Sequence, residues 1–227
     1  MNNPQRLVLP PEVDPAIEVW EITLELAQPI PVRAWADLDQ GEQQLALALR
    51  RPADRVRRVA TRSALRRLLA ARLGCAAGQL RFRAGPHGKP QLDHACRLPF
   101  NVSHSGTHAL IALGPIGHGA ELGVDIEQIG RQPPEAGVLD RVLSEAERAW
   151  VAEEPAAFYR IWTAKEALLK AHGTGMRLAP DLLCLARDAA DALHLCGAPA
   201  EIAGRPNHVQ TLAAPSGYAA ALAWIEC

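Results

Sequence analysis

Two short segments hold side chains whose types and spacing could do chemistry. Gly123-Val124-Asp125-Ile126-Glu127 alternates apolar and acidic residues. As a strand it places Val124 and Ile126 on one face and Asp125 and Glu127 on the other. Carboxylates two residues apart on a strand stand roughly 7 Å apart, close enough to converge on one cation. Further on, Trp162-Thr163-Ala164-Lys165-Glu166-Ala167-Leu168-Leu169-Lys170 reads as a helix. Trp162, Glu166 and Lys170 are spaced by four and share one stripe of it. Two strand carboxylates, a helical glutamate and an ammonium suit a hard metal ion bound to a phosphate ester. Taken singly, each has an ordinary explanation. Asp125 and Glu127 could be a solvated strand face, and Glu166–Lys170 an exposed i,i+4 pair worth about 0.3–0.5 kcal/mol.

The elements that must position these groups are mixed helix and strand. Ala16 to Leu26 alternates as a strand does. Leu45 to Leu73 is a long Arg- and Leu-rich helical region with a break near Pro52. Gln79 to Arg83 is a short strand candidate, and Gly85-Pro86-His87-Gly88 is turn chemistry. Phe100 to Ser103 and Ala109 to Leu113 read as a buried hairpin around Ser105-Gly106. Pro115 to Gly119 is a turn-rich connector and the candidate boundary between residues 1–118 and 119–227. Ser144-Glu145-Ala146-Glu147 has the spacing of a capping box and should open a helix. Phe158 to Ala171 is a helix with Gly173 at its stop. Val209 to Ile225 reads as a final hairpin. Its Ser216-Gly217 turn and small-apolar strand echo Ser105-Gly106 and the Ala109 to Leu113 strand, although any two buried hairpins would give such an echo.

The chain has 227 residues, a net charge of −1 and 48% hydrophobic residues, so it can bury a substantial core and carries no global field for nucleic acid or anionic membrane. No segment approaches the apolar length of a membrane span, and the N-terminus lacks a signal-like apolar stretch. The five cysteines, Cys75, Cys96, Cys184, Cys196 and Cys227, form no CxxC pair, which points to reduced thiols and a cytoplasmic protein. Only three of the 24 basic residues are lysines, namely Lys89, Lys165 and Lys170. Either coding bias left three by chance, or a compact ammonium is needed there. Lys165 reads as an exposed helix lysine or a structural ion pair. The arginines crowd into 50–72 with only Asp54 among them, and most fit a solvated helix face.

Phe100-Asn101-Val102-Ser103-His104-Ser105, the Gly123–Glu127 segment and the Trp162–Lys170 segment together resemble the three signature motifs of 4′-phosphopantetheinyl transferases. Gly88-Lys89-Pro90 and Arg141 to Glu147 are similar to the single-chain, Sfp-type branch. The resemblance spans about Arg50 to the C-terminus.

It implies an α/β fold of two similar subdomains in a pseudo-twofold arrangement, with the active site in the cleft between them. The implied reaction moves the phosphopantetheine arm of coenzyme A to a serine of an acyl or peptidyl carrier protein and releases adenosine 3′,5′-bisphosphate. The expected partners are coenzyme A and the carrier, with no nucleic acid and no membrane, and the protein is expected to be a monomer. Asp125, Glu127 and Glu166 match the family's ligands for Mg²⁺, with Mn²⁺ as a substitute. Glu166 would also help deprotonate the serine, and Lys170 would contact the diphosphate and protonate the leaving phosphate. Ser103 and His104 match phosphate contacts, with His104 also in the catalytic set. Arg57 and Lys89 are expected at the 3′-phosphate. One departure stands out: Gln28 to Leu49 lacks lysines found in some relatives and has only Arg33, so Arg50 or Arg51 would have to substitute. Two other readings remain open. One is an inactive carrier-binding module, against which the intact acidic set speaks. The other is a Mg²⁺-dependent nucleotide diphosphate hydrolase, which would cleave coenzyme A without a carrier. A Ser/His/Asp hydrolase fits poorly, because no GxSxG elbow surrounds Ser103.

Overall fold

The computed structural model describes residues 3–85, 88–94, 97–117, 121–130 and 134–226. Pro86, His87, Cys96, His118, Gly119 and Cys227 lie outside them. The elements run β1 (Gln5–Arg6), β2 (Glu18–Thr23), α1 (Val32–Ala36), α2 (Gln40–Leu47), α3 (Pro52–Leu73), β3 (Phe82–Ala84), β4 (Pro90–Leu92), β5 (Phe100–Ser105), β6 (His108–Leu113) and β7 (Glu121–Gln128). They continue with α4 (Ala136–Val142), α5 (Glu145–Glu153), α6 (Ala157–His172), β8 (Cys184–Arg187), β9 (Leu193–Gly197), α7 (Ala200–Ala203), β10 (Asn207–Thr211) and β11 (Tyr218–Ile225). The fold is mixed α/β, as the patterning implies. Among the described residues no helix is long and apolar enough to cross a membrane.

Two antiparallel sheets form the centre, ordered β1-β2-β6-β5 and β10-β11-β7. Leaving β1 aside, their plans match. In each, a strand (β2 or β7) precedes a long helix (α3 or α6) and then a hairpin, and the last strand lies in the middle. The Ser105-Gly106 and Ser216-Gly217 echo therefore falls on corresponding hairpins. Both turn glycines take positive φ, 52° and 80°, the left-handed region that a Cβ disfavours. Inward residues of both sheets, among them Val19, Leu110, Ala112, Val124, Ile126, Ala220 and Leu222, make one apolar layer between them. The outer faces are covered by α3 in the first half and α6 in the second.

The helix stops follow their sequence signals. Ser144 caps α5 reciprocally with Glu147, while Gly74 and Gly173 end α3 and α6 in the left-handed conformation. The break before Pro52 separates α2 from α3.

The Arg-rich helix corrects the expectation of a solvated face. Arg66 is fully buried, bonding Glu42 at 2.7 Å and Asp39 at 2.8 Å. Arg62 pairs with Glu42, Arg67 with Asp37 at 2.6 Å, and Arg72 with Glu18 at 3.1 Å. Asp37 and the acids of α2 and its cap thus neutralise one flank of α3. Arg50, Arg51 and Arg58 remain exposed near its start.

Helix α6 approaches β7 closely at Gly123. A Cβ there would stand 1.8 Å from Ala167 O and 2.5 Å from the Ala171 nitrogen. Both obstacles are helix backbone, which cannot swing aside as a side chain would. Gly123→Ala should therefore force the helix off the strand, at a cost of about 1–3 kcal/mol or more. Denaturant unfolding of the variant checks this; an unchanged midpoint would show that the helix does not rest there.

Candidate functional site

The site forms where β7, α6 and β5 meet. Strand β7 turns Asp125 and Glu127 toward α6, on the same face as Gly123. The stripe of α6 that carries Trp162, Glu166 and Lys170 lies over them. The Trp162 indole lies near the Glu127 carboxyl and favours its charged form. The Lys170 ammonium donates to Asp125 Oδ1 at 2.6 Å, Ser103 Oγ at 3.1 Å and Val124 O at 3.3 Å. Its closest carboxylate thus comes from β7, and no i,i+4 ion pair with Glu166 forms within 4 Å among the described residues.

Strand β5 runs beside β7 in the same direction. Here polar side chains take the place of a backbone ladder. Asn101 Oδ1 accepts from the Val124 amide at 2.9 Å. Ser103 Oγ donates to Asp125 Oδ1, and Ser105 Oγ to Glu127 Oε2, both at 2.8 Å. Ser105 Oγ also accepts from the Gln128 amide at 3.1 Å. The roles of Ser105, Asn101 and Trp162 escaped sequence reasoning. A signal existed, since Asn101, Ser103 and Ser105 alternate onto one strand face.

Asp125 is 2% exposed, and among the described residues its second oxygen, Oδ2, has no hydrogen-bond partner. A buried carboxylate oxygen left alone is costly. Burial, then the Asp125 charge, pushes the Glu127 carboxyl above its ordinary pKa, against the pull of Ser105, Lys170 and Trp162. Burial also raises Glu166, and Asp125 and Glu127 add to it against Lys170. Three mutually repelling carboxylates therefore share one region, although among the described residues no three acidic, His or Cys side chains form a finished metal cage.

His104 alternates outward from Ser103. Partial burial, then the Arg57 and Lys170 charges, lower its pKa. Those two cations and the imidazole thus lie within electrostatic reach of one another. Arg57 donates from Nε to Gly106 O at 2.8 Å and from Nη1 to Asp54 at 2.5 Å, fastening α3 to the β5–β6 turn.

Lys89 overturns its expectation. Its Nζ donates to Leu122 O at 2.9 Å, Lys170 O at 2.6 Å and Ala171 O at 3.3 Å. An ammonium has three N–H groups, so none is left for a phosphate. Lys165 is likewise internal: fully buried, it donates to Val142 O at 2.7 Å and Glu147 Oε2 at 2.5 Å. It is the structural ion pair of its two readings, not the exposed lysine. Glu147 in turn accepts from the Ser144 and Leu185 amides, linking α5, β8 and α6.

A family model described as the 4′-phosphopantetheinyl transferase superfamily matches residues 121–223. The 4′-phosphopantetheinyl transferase HetI of Nostoc is 30% identical over 168 residues, covering 70% of each chain. The chain belongs to the 4′-phosphopantetheinyl transferase family. A Synechocystis protein provisionally named for the same activity is 41% identical over 133 residues, and the match spans 56% of this chain and about half, 53%, of that relative. Among solved structures, the Helicobacter pylori holo-[acyl-carrier-protein] synthase in complex with coenzyme A covers 46% of this chain and 99% of its own, at 18% identity and a TM-score of 0.41.

The raised carboxyls of this family member set a pH dependence. A carboxyl with a raised folded pKa holds its proton more tightly folded than unfolded, so acidification through that pKa adds stability. Without divalent cations, Glu127 and Glu166 should contribute a rise in melting temperature as the pH falls from neutral toward the ordinary glutamate value of about 4.3. The lowered His104 and His172 act in the opposite sense, so the comparison is with Glu166→Gln, in which the acid-side gain should shrink. Parallel melting profiles for the two proteins would refute the raised Glu166.

Proposed function

We propose that this protein transfers the 4′-phosphopantetheine arm of coenzyme A to a serine of an apo acyl or peptidyl carrier protein, releasing adenosine 3′,5′-bisphosphate. Family membership supports the reaction class. The observation that carries the chemistry is the buried, unpartnered Asp125 Oδ2 beside two carboxyls of raised pKa and one ammonium. Such a donor set fits a hard divalent cation, Mg²⁺ or Mn²⁺, held by Asp125, Glu127 and Glu166. When bound, that cation supplies charge neutralisation for a diphosphate.

The chain's own residues do the remainder. The carrier serine oxygen forms a bond to the phosphorus bearing the pantetheine arm. The P–O bond to the adenosine side breaks, and its electron pair leaves with the adenosine bisphosphate. Glu166 takes the serine proton, a role its raised pKa favours. Lys170 faces the leaving phosphate; its long 3.3 Å contact to Val124 O is the one a phosphate oxygen replaces at least cost. Ser103 holds Asp125 and Lys170 in register, and His104 with Arg57 lines the anionic side. Arg57 contacts the 3′-phosphate, with Arg50 and Arg51, exposed at the start of the same helix, standing in for the upstream lysines. The two repeated sheet plans constitute two subdomains, divided in the connector after β6, with the site at their seam.

The test is intact-mass analysis of apo-carriers incubated with coenzyme A, Mg²⁺ and the protein. The phosphopantetheine increment should appear with wild type and vanish with Asp125→Ala or Glu127→Ala. Glu166→Gln and Lys170→Ala should each lose far more rate than a helix pair worth about 0.5 kcal/mol explains. Breakdown of coenzyme A at equal speed without any carrier would favour the hydrolase instead. Near-normal transfer by Asp125→Ala at saturating Mg²⁺ would remove the ligand assignment.

Arg57→Ala should weaken coenzyme A by about 1.5–3 kcal/mol while leaving dephospho-coenzyme A nearly unaffected. Calorimetric titration of both ligands makes the comparison internal. Equal weakening would return Arg57 to its structural task at Gly106 and Asp54.

A further inference from the structure

We propose that Lys89 is a positioning residue for Lys170, acting through the backbone at the C-terminal end of α6, with its ammonium donating to no phosphate of coenzyme A. The inference rests on the catalytic role proposed for Lys170. Lys89 lies between the strands of the β3–β4 hairpin, far in sequence from its acceptors. Its ammonium binds the carbonyls of Lys170 and Ala171, in the last turn of α6, and of Leu122, in β7. The final carbonyls of a helix lack intrahelical partners and carry the negative end of its dipole, so a cation there is favoured twice. One point charge thus ties three elements together at the residue whose side chain reaches Asp125 and Ser103.

The shape of the cage explains why this cation is lysine in a chain with 21 arginines. Three carbonyls from a helix end and a strand suit a compact ammonium with three rotatable donors; a planar guanidinium fork suits a carboxylate or phosphate. The stem is packed as well. A Cβ on Gly173 would lie 3.8 Å from Lys89 Cδ, so the residue that ends the helix also borders the lysine. Burial pulls the Lys89 pKa to about 8, against the Glu121 charge, as befits an ammonium turned inward from solvent.

The test compares Lys89→Met and Lys89→Arg with wild type. Calorimetry gives the affinity and stoichiometry for coenzyme A, which reports the folded fraction, and transfer at saturating coenzyme A gives kcat. A positioning role predicts stoichiometry near one, affinity within about twofold, and kcat lowered about ten- to a hundredfold in Lys89→Met. It also predicts that Lys89→Arg does not restore kcat. Weakened coenzyme A with wild-type kcat, rescued by Lys89→Arg, would overturn the proposal, and so would two variants indistinguishable from wild type. If Lys89→Met fails to fold, Lys89→Arg carries the same contrast. Hydrogen exchange at the amides of residues 168–173 is independent of transfer and should quicken in the variants. A wild type that modifies no carrier sinks the transferase reading alone, and the exchange comparison then decides the clamp, with unchanged rates overturning it.

Discussion

Helix α6 lies so close on strand β7 that no side chain fits beneath it at Gly123. The site depends on this contact. It brings the Trp162–Glu166–Lys170 stripe down onto Asp125 and Glu127, where a longer separation would leave water between the charges. Small residues, Ala167 and Ala171, face the glycine on the helix side. The chain's three lysines then fix the helix by different groups: Lys165 into α5, Lys170 into β7 and β5, Lys89 onto its last carbonyls. Each ammonium sits among acceptors from separate elements, a geometry that suits a point charge with rotatable donors. The scarcity of lysine is thus meaningful, and chance survival explains it less well than need.

What the helix encloses is unstable by itself. Burial and the Asp125 charge raise the carboxyls of Glu127 and Glu166, and the Lys170 ammonium on Asp125 offsets only part of the repulsion. The serines of β5 contribute hydroxyl donors that hold the carboxylates apart in fixed orientations. A preorganised cluster of negative charge costs folding free energy, and a bound cation would lower that cost. Stability and chemistry are therefore in tension at one place, while the apolar layer on the other face of β7 and the Arg66–Glu42–Asp39 network supply stability without entering the site.

Much of this was legible in the residues. The alternation of Gly123 to Glu127, the four-residue spacing of Trp162, Glu166 and Lys170, the Ser144 capping box and the Gly173 stop each encode local geometry, and local geometry is what periodicity reports. The failures are contacts between distant segments. Nothing near Lys89 in sequence shows that its ammonium meets carbonyls of residues 122, 170 and 171, because backbone acceptors carry no residue signature. The arginines of α3 that pair with Glu18, Asp37, Asp39 and Glu42 read as solvated because those partners lie 20 to 54 residues upstream. Ser105 and Asn101 were within reach, since their alternation with Ser103 marks one strand face, but the neighbour of that face is set by tertiary packing.

The repeated sheet plan raises the question of why the acidic cluster of Asp125, Glu127 and Glu166 lies in one half alone. When the Ser-Gly turns of the two hairpins are matched, Leu110 corresponds to Ala221. Their partners in register are Glu21 on β2 and Asp125 on β7. Glu21 thus matches Asp125 in register, but it lies on the inward face with Leu110, whereas Asp125 faces α6 with Ala221. It differs in its surroundings. Glu21 is bonded to His108 Nδ1 at 2.8 Å, and the outer edge of β2 is covered by β1, which pairs Gln5 with Glu21. The helix over that sheet carries arginines committed to other acids. The edge of β7, by contrast, faces β5 across the seam, and Asp125 keeps an oxygen without a partner. A strand edge closed by pairing satisfies its polar groups, while an edge bridged by serines and an asparagine keeps carboxylates available. The asymmetry between a paired edge and a bridged one accounts for one acidic cluster among the described residues of a chain built on one plan used twice.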